Sequence, residues 1–317
     1  MKYTSCDLTE HGLVFDDKSI KLCFGQTIEN IQPKEFIPNY NGELLNLERF
    51  FALKRFYRKK MKAGSLDCCG CPHLEEKEYD EEDYIDTIIF NQGNICNSKC
   101  VYCPTAQDTN KPYRYSVYPV IRQLADGGYL RKGGSMTIAG GEPVIAKDFH
   151  DLLTLFLDLG FENIKILTNG ILYSDLITRG VKQGSVNLLI SLDSGTPEMY
   201  RWIKGSDSFN FVWDNIKTYA EHQCSPNLVK TKYVIIPTIN DIKDEVTKFL
   251  DKVKENGVSA VVFDVENFWY IENKNTIPKS LNDFLKFTAE EAKKRNLAYE
   301  PIGRASKIFE KMDEKII

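Results

Sequence analysis

From residue 85 onward the chain alternates between short apolar runs and longer segments whose apolar residues recur every three or four positions. The short runs fall at 85–91, 135–139, 164–168, 186–192, 232–236 and 260–265, and each is rich in Ile, Val or Leu. Runs of this length and composition predict strands covered on both faces, as in a parallel sheet. Between them, 148–159, 211–222 and 242–255 carry the helical period. Six strand–helix alternations predict an α/β fold, a partial (β/α)6 barrel of the TIM type, with its chemistry at the carboxyl ends of the strands.

Before residue 85 the pattern differs. Residues 19–24 (SIKLCF) alternate enough for a short strand, and 39–42 (NYNG) form a turn signal. Asn46 is placed to cap a helix with Leu47, Phe50, Leu53, Tyr57 and Met61 on one face, stopped by Gly64. Lys54, Arg55, Arg58, Lys59 and Lys62 fall on the other face, which reads as solvated. The acidic stretch 75–83 (EEKEYDEED) reads as a solvated connector. The chain is thus expected to divide into a small cysteine-rich α+β module at 1–75, a core at 84–270 and a helical extension at 271–317.

Charge narrows the partners. The 317 residues hold 41 Lys and Arg against 45 Asp and Glu, a formal net charge of −4. That balance disfavours a broad nucleic-acid surface and favours a small molecule. No apolar run approaches the roughly 20 residues needed to cross a bilayer. The segment MKYTSCDLTEHGLVFDDKS lacks the basic head and apolar core of a secretory signal. A cytoplasmic location is expected, where thiols stay reduced. Nine cysteines then point to metal rather than disulfides. All but Cys224 lie at or before position 103, and Cys224 reads as a small buried hydrophobe.

Directly after the first core strand comes NICNSKCVYCP, with Cys96, Cys100 and Cys103 spaced C-x3-C-x2-C. Three thiolates on one loop can grip a soft-metal centre but leave one ligand position open. A zinc site completed by a residue such as His73 is the alternative. The second strand ends in Gly140-Gly141-Glu142-Pro143, the third in Thr168-Asn169-Gly170, and the fourth in Ser191-Leu192-Asp193-Ser194-Gly195. Ser191 and Asp193 are two apart on a strand and point to one side.

This ordered set resembles the radical S-adenosylmethionine (SAM) superfamily across residues 85–265. The resemblance implies a [4Fe–4S] cluster on Cys96, Cys100 and Cys103, with the aromatic Tyr102 before the last cysteine as a cofactor-binding residue. It implies that SAM chelates the open iron, and that Gly140, Gly141, Glu142 and Pro143 hold its amino group. Asn169, Ser191 and Asp193 would then reach its ribose and carboxylate. The family's reaction is reductive cleavage of SAM to a 5′-deoxyadenosyl radical, which abstracts hydrogen from a peptide, sugar or small-molecule substrate. An electron donor such as flavodoxin or ferredoxin is implied. Asn240, Glu266 and Tyr270 are candidates for the substrate wall.

Cys6, Cys23, Cys68, Cys69 and Cys71 remain, the last three within DCCGCP. Cys6, Cys23, Cys68 and Cys71 could supply four thiolates, the number a closed [4Fe–4S] cluster or structural zinc requires. Free buried thiols are the third reading. The order resembles a reduced SPASM or Twitch module, which implies a second, auxiliary [4Fe–4S] cluster; here the cysteines precede the barrel instead of following it. A non-catalytic iron–sulfur electron carrier or redox sensor, and a zinc-stabilised binding module, are the rival functions. The GGEP, TNG and SLDSG segments count against a carrier, which has no need of SAM.

Overall fold

Each apolar run from residue 85 onward is a strand in the computed structural model, which describes residues 2–16, 19–23, 35–64, 71, 74–78, 80–91, 95–103 and 115–313. The chain forms two compact units, Met1–Ile95 with Lys111–Lys165, and Cys96–Asn110 with Ile166–Ile317. The first opens with β1 (Lys2–Ser5), α1 (Asp7–His11), β2 (Gly12–Phe15), β3 (Ile20–Lys21), β4 (Glu35–Ile37), α2 (Leu47–Lys62) and β5 (Glu75–Glu78). It continues through β6 (Ile85–Asn91), α3 (Tyr118–Asp126), β7 (Leu130–Ala139) and α4 (Phe149–Asp158). The strand β8 (Asn163–Thr168) begins in this unit and ends in the other.

Within the first unit β6 runs parallel to both β2 and β7, with Leu13 opposite Ile88 and Phe90 opposite Ile138. The N-terminal segment therefore contributes a strand beside β6, and β3 and β4 extend it antiparallel. The expected strand at 19–24 shortens to two residues; Phe24 lies outside the described residues. Phe15, Phe90, Phe156 and Phe161 follow one another at 5.4, 6.2 and 4.6 Å between ring centres, the first pair stacked and the last edge to face, forming an aromatic core.

Two expectations change here. The acidic stretch is not a plain connector: β5 pairs antiparallel with β1, Tyr3 opposite Lys77. Its side chains are mostly exposed, so polar composition hides a backbone pairing that owes nothing to burial. Likewise Lys54 and Arg58 of α2 are each only 1% exposed. Lys54 donates to the carbonyls of Thr9 (3.0 Å) and Gly12 (2.7 Å), and Arg58 pairs with Asp83 (2.6 Å). Carbonyls of α1 and its C-cap and the acid near the start of β6 supply partners that allow these cations inside. The expected cap holds, with Asn46 accepting from the Arg49 amide at 3.0 Å.

The second unit continues with α5 (Asp175–Gln183), β9 (Val186–Ser191), α6 (Pro197–Lys204), α7 (Phe209–His222), β10 (Val229–Ile235), α8 (Lys243–Glu255) and β11 (Ala260–Val265). Then follow α9 (Asn267–Asn273), α10 (Lys279–Lys294), β12 (Ala298–Pro301) and α11 (Gly303–Asp313). Strands β9, β10, β11 and β12 are mutually parallel in that order. The strand β12 was not legible among the charged helices around it. Tyr233 and Phe263 pack on Phe249 of α8, and Tyr299 stacks on Phe263. One face of these strands is thereby sealed by helices. The other is not: β9 and β10 alternate buried and half-buried residues, Ser191 and Lys232 among the latter. Coverage on both faces, expected from composition, holds for β11.

Among the described residues no helix is long and apolar enough to cross a membrane.

Candidate active site

The cysteine loop of the second unit is pinned along its length. Its amides at Lys99 and Val101 donate to the carbonyls of Lys204 (2.8 Å) and Ile203 (2.9 Å), so the loop rests on the end of α6. At its start, the Asn169 side-chain amide reaches Asn97 Oδ1 (2.6 Å), Ser98 Oγ (3.3 Å) and Cys96 Sγ (3.7 Å). Asn169 thus acts on the loop itself, while its Oδ1 accepts from the Ile171 amide at 3.0 Å.

At the loop's far end Tyr102 donates to Asp193 Oδ2 at 2.5 Å. Lys204 pairs with the same carboxylate and lies 3.1 Å from the Tyr102 hydroxyl. Asp193 Oδ1 accepts from the Val234 amide at 2.7 Å. Both oxygens of Asp193 and the hydroxyl of Tyr102, expected to face a ligand, are engaged by protein groups. Asp193 is fully buried and Lys204 is 1% exposed. Burial and then Asp193's charge push the Tyr102 hydroxyl well above its ordinary range. Burial alone would lower the Lys204 pKa, but Asp193, Tyr102 and Cys100 together raise it well above normal. A buried cation therefore sits beneath the cysteine loop.

Asp193 also adopts a left-handed backbone, φ 64°, which costs a non-glycine residue of order 1 kcal/mol. Asn240 holds it there, donating to the Asp193 carbonyl and to that of Val234, each at 2.9 Å. Asn240 is fully buried and its Oδ1 accepts from the Ile236 amide, so it is a brace and not the expected substrate wall. Glu266 does line a cavity. Its two oxygens accept from the Phe268 (2.9 Å) and Trp269 (2.7 Å) amides, capping α9. That cavity, about 530 Å3, is bounded by Tyr102, Cys103, Trp202, Ile236, Glu266 and Phe268, among others. Tyr270 is not among its lining residues.

In the first unit the GGEP segment is fixed to the residue that precedes Cys96 in the chain. The Glu142 amide donates to the Ile95 carbonyl at 2.8 Å. Gly140 and Gly141 have φ of 90° and 54°, and a β-carbon on Gly141 would lie 2.3 Å from the Ile95 oxygen. Only glycine fits. Glu142 is 1% exposed, and its carboxylate accepts from the Val144 amide at 3.2 Å above the buried Pro143.

Cys96, Cys100 and Cys103 are half-buried, and burial pushes the Cys100 thiol up to about 11 despite the opposing charge of Lys204. Cys6 is buried, and its thiol is raised by burial, with Cys71 and Cys23 close enough to add their charge. Cys68, Cys69 and His73 lie outside the described residues. Among the described residues no three His, Cys, Asp or Glu side chains already stand as a ligand set. The donor chemistry of the loop still fits an iron–sulfur centre: soft thiols on one short segment, its backbone braced, with a buried ammonium to offset thiolate charge. Cys224 is exposed, because it falls past the Gln223 cap of α7 and not on the helix.

Sequence reasoning missed Lys204 and Glu245. Lys204 closes the segment PEMYRWIK ahead of Gly205 and reads as a cation at a helix end. Glu245 accepts from the Gly195 amide (2.9 Å) and the Thr196 hydroxyl (2.6 Å), a link across about 50 residues that no local pattern announces.

Polar motifs at the carboxyl ends of parallel strands, one followed by a braced three-cysteine loop, define a cofactor-dependent α/β enzyme of the partial-barrel kind. This chain belongs to the Radical SAM superfamily, whose profile matches residues 90–252. Enzymes of that superfamily use a [4Fe–4S] cluster and S-adenosylmethionine. A probable GTP 3′,8-cyclase of Archaeoglobus fulgidus is 29% identical over 175 residues, 54% of this chain and 56% of that one. The mitochondrial GTP 3′,8-cyclase of Arabidopsis thaliana is 30% identical over 170 residues, 52% of this chain and 42% of that one. The chain spans about half the length of the curated relatives it matches. Streptococcus suis SuiB has a similar fold, with a TM-score of 0.54 at 17% identity, covering 80% of this chain and 55% of SuiB.

Proposed function

We propose that this chain is a catalytic radical SAM enzyme whose cluster is held by Cys96, Cys100 and Cys103. The single observation that carries this reading is the cysteine loop braced by Asn169 at one end and by the Tyr102–Asp193–Lys204 triad at the other. A [4Fe–4S] cluster held by these three cysteines would supply the one-electron reducing power for homolytic radical chemistry on SAM. The chain's own residues orient the parts. Gly140, Gly141, Glu142 and Pro143 present a close backbone and a buried carboxylate suited to SAM's ammonium group. Ser191 and Asn169 stand at strand ends for its polar groups, while Asp193 and Tyr102 act by holding the loop. The cavity beside Cys103, walled by Trp202, Ile236 and Phe268, offers aromatic and aliphatic faces suited to the planar adenosyl group.

The substrate is a small molecule, sugar or peptide. The relatives named GTP 3′,8-cyclase favour a small molecule, and the net charge of −4 agrees. A donor of the flavodoxin or ferredoxin kind supplies the electron, in the cytoplasm. Residues 1–75, 84–270 and 271–317 serve as auxiliary module, radical core and extension. An auxiliary [4Fe–4S] cluster on Cys6, Cys23, Cys68 and Cys71 is proposed from their number, the four thiolates a closed cluster requires.

Iron, sulfide and SAM cleavage, measured on anaerobically reconstituted protein, test this reading. Cys96→Ala, Cys100→Ala and Cys103→Ala should each abolish reductive cleavage; cleavage retained by any one refutes the loop assignment. Cys71→Ala should lower iron by roughly half if each cluster holds about four irons; unchanged iron removes the auxiliary cluster.

A further inference from the structure

The half-buried side of β9 and β10, continued by buried residues of β11, carries charge the SAM assignment does not use. Lys232, Val262 and Asp264 share this face, because their neighbours Tyr233 and Phe263 turn to α8. Asp264 is 4% exposed and attracts two cations. Arg304 reaches it through its backbone amide (2.9 Å) and its guanidinium (3.1 Å), and Lys232 lies 3.6 Å away. Neighbouring Lys230 and Glu300 pair one to one at 2.6 Å. Two cations facing one carboxylate leave a surplus positive charge.

That surplus falls on Lys232. Its side chain is 17% exposed, yet it makes only the loose ion pair and no hydrogen bond among the described residues. A half-buried ammonium whose N–H groups are unengaged by these residues is open to an acceptor from outside the chain. Ser191 is its direct register partner on β9, so the open position lies one strand from a residue assigned to SAM.

We infer that Lys232 and Arg304, set by Asp264, form the binding site for an anionic group, phosphate or carboxylate, of the substrate. Asp264 is the positioning residue: it keeps both cations turned to the same face. An anchor here would hold the substrate against the cofactor by its charged end. The inference rests on the radical SAM reading, since only that reading makes this face a substrate face.

The test is calorimetric titration of the reconstituted full chain with inorganic pyrophosphate and with succinate, at constant ionic strength, with and without saturating SAM. At least one anion should bind, and which one binds distinguishes phosphate from carboxylate recognition. Lys232→Met should weaken that binding by about tenfold or more, as loss of a charged hydrogen bond does. Lys232→Arg should restore part of it, and Lys217→Met, an exposed lysine of α7, should not alter it. Should Lys232→Met misfold by circular dichroism, Arg304→Gln carries the same expectation. Binding of neither anion, equal affinity in Lys232→Met or Arg304→Gln, or complete displacement by SAM would overturn the proposal. Displacement would give the site to SAM's own carboxylate. Iron content and SAM cleavage in the same preparations report separately on the radical SAM reading.

Discussion

At the scale of single residues, the site depends on a few buried side chains whose partners are all internal. Asp193 and Lys204 form an ion pair that water does not reach. Breaking such a pair from one side strands the other charge, at a cost of about 3–5 kcal/mol. Asp193→Asn should therefore lower the denaturation midpoint and the iron retained per chain. Pairing it with Lys204→Met should recover part of the lost stability, since no charge is then stranded; a double variant no better than the single would refute the coupling. Gly141→Ala should destabilise the apo chain by more than about 1 kcal/mol in urea unfolding, because of its positive φ and its approach to the Ile95 carbonyl. An unchanged midpoint would show that this contact carries no constraint. Cys96, Cys100, Cys103 and the GGEP segment could be singled out as candidates residue by residue, since each belongs to a contiguous motif. Lys204, Glu245 and Asn240 were not, because their roles depend on what tertiary contact places opposite them.

At the scale of elements, local chemistry did much of the work. Asn46 caps α2 as its position indicated, and Asn46→Ala should cost about 1 kcal/mol of stability with no change in iron content. A loss of iron would instead tie the N-terminal helix to the cluster. The buried stripe of α2 departs from simple amphipathicity: Phe50, Lys54, Arg58 and Met61 share it. Helical spacing put the two cations within reach of that stripe, but only the carbonyls of Thr9 and Gly12 and the carboxylate of Asp83 make their burial affordable. The strands β5 and β12 escaped sequence reading for a related reason. The polar β5 is held by backbone pairing to β1, distant in the chain, and β12 is only four residues long, its Tyr299 packed on Phe263 from another strand.

At the scale of the whole molecule, buried ionisable groups set how stability responds to pH. His11 is 2% exposed, stacked 3.8 Å from Tyr84, and burial lowers its pKa from 6.5 to about 4. The unfolded chain binds that proton more readily. The stability His11 contributes is thus whole above about pH 6.5 and is lost as pH falls toward 4, by about 2–3 kcal/mol. Urea midpoints at pH 7 and pH 4.5 should show that loss, and His11→Phe should flatten it; an equal acid limb in the variant would assign it elsewhere.

The sequence by itself determined the strand–helix alternation, the cysteine loop and the ligand-type motifs at strand ends, because periodicity and contiguous spacing are local properties written directly in residue order. Tertiary structure alone decided that Asp193 and Tyr102 brace the loop, that Lys54 and Arg58 are interior, and that one strand face stays open with Lys232 upon it. Those outcomes turn on whether a polar group finds a partner once buried, and that partner comes from another part of the chain.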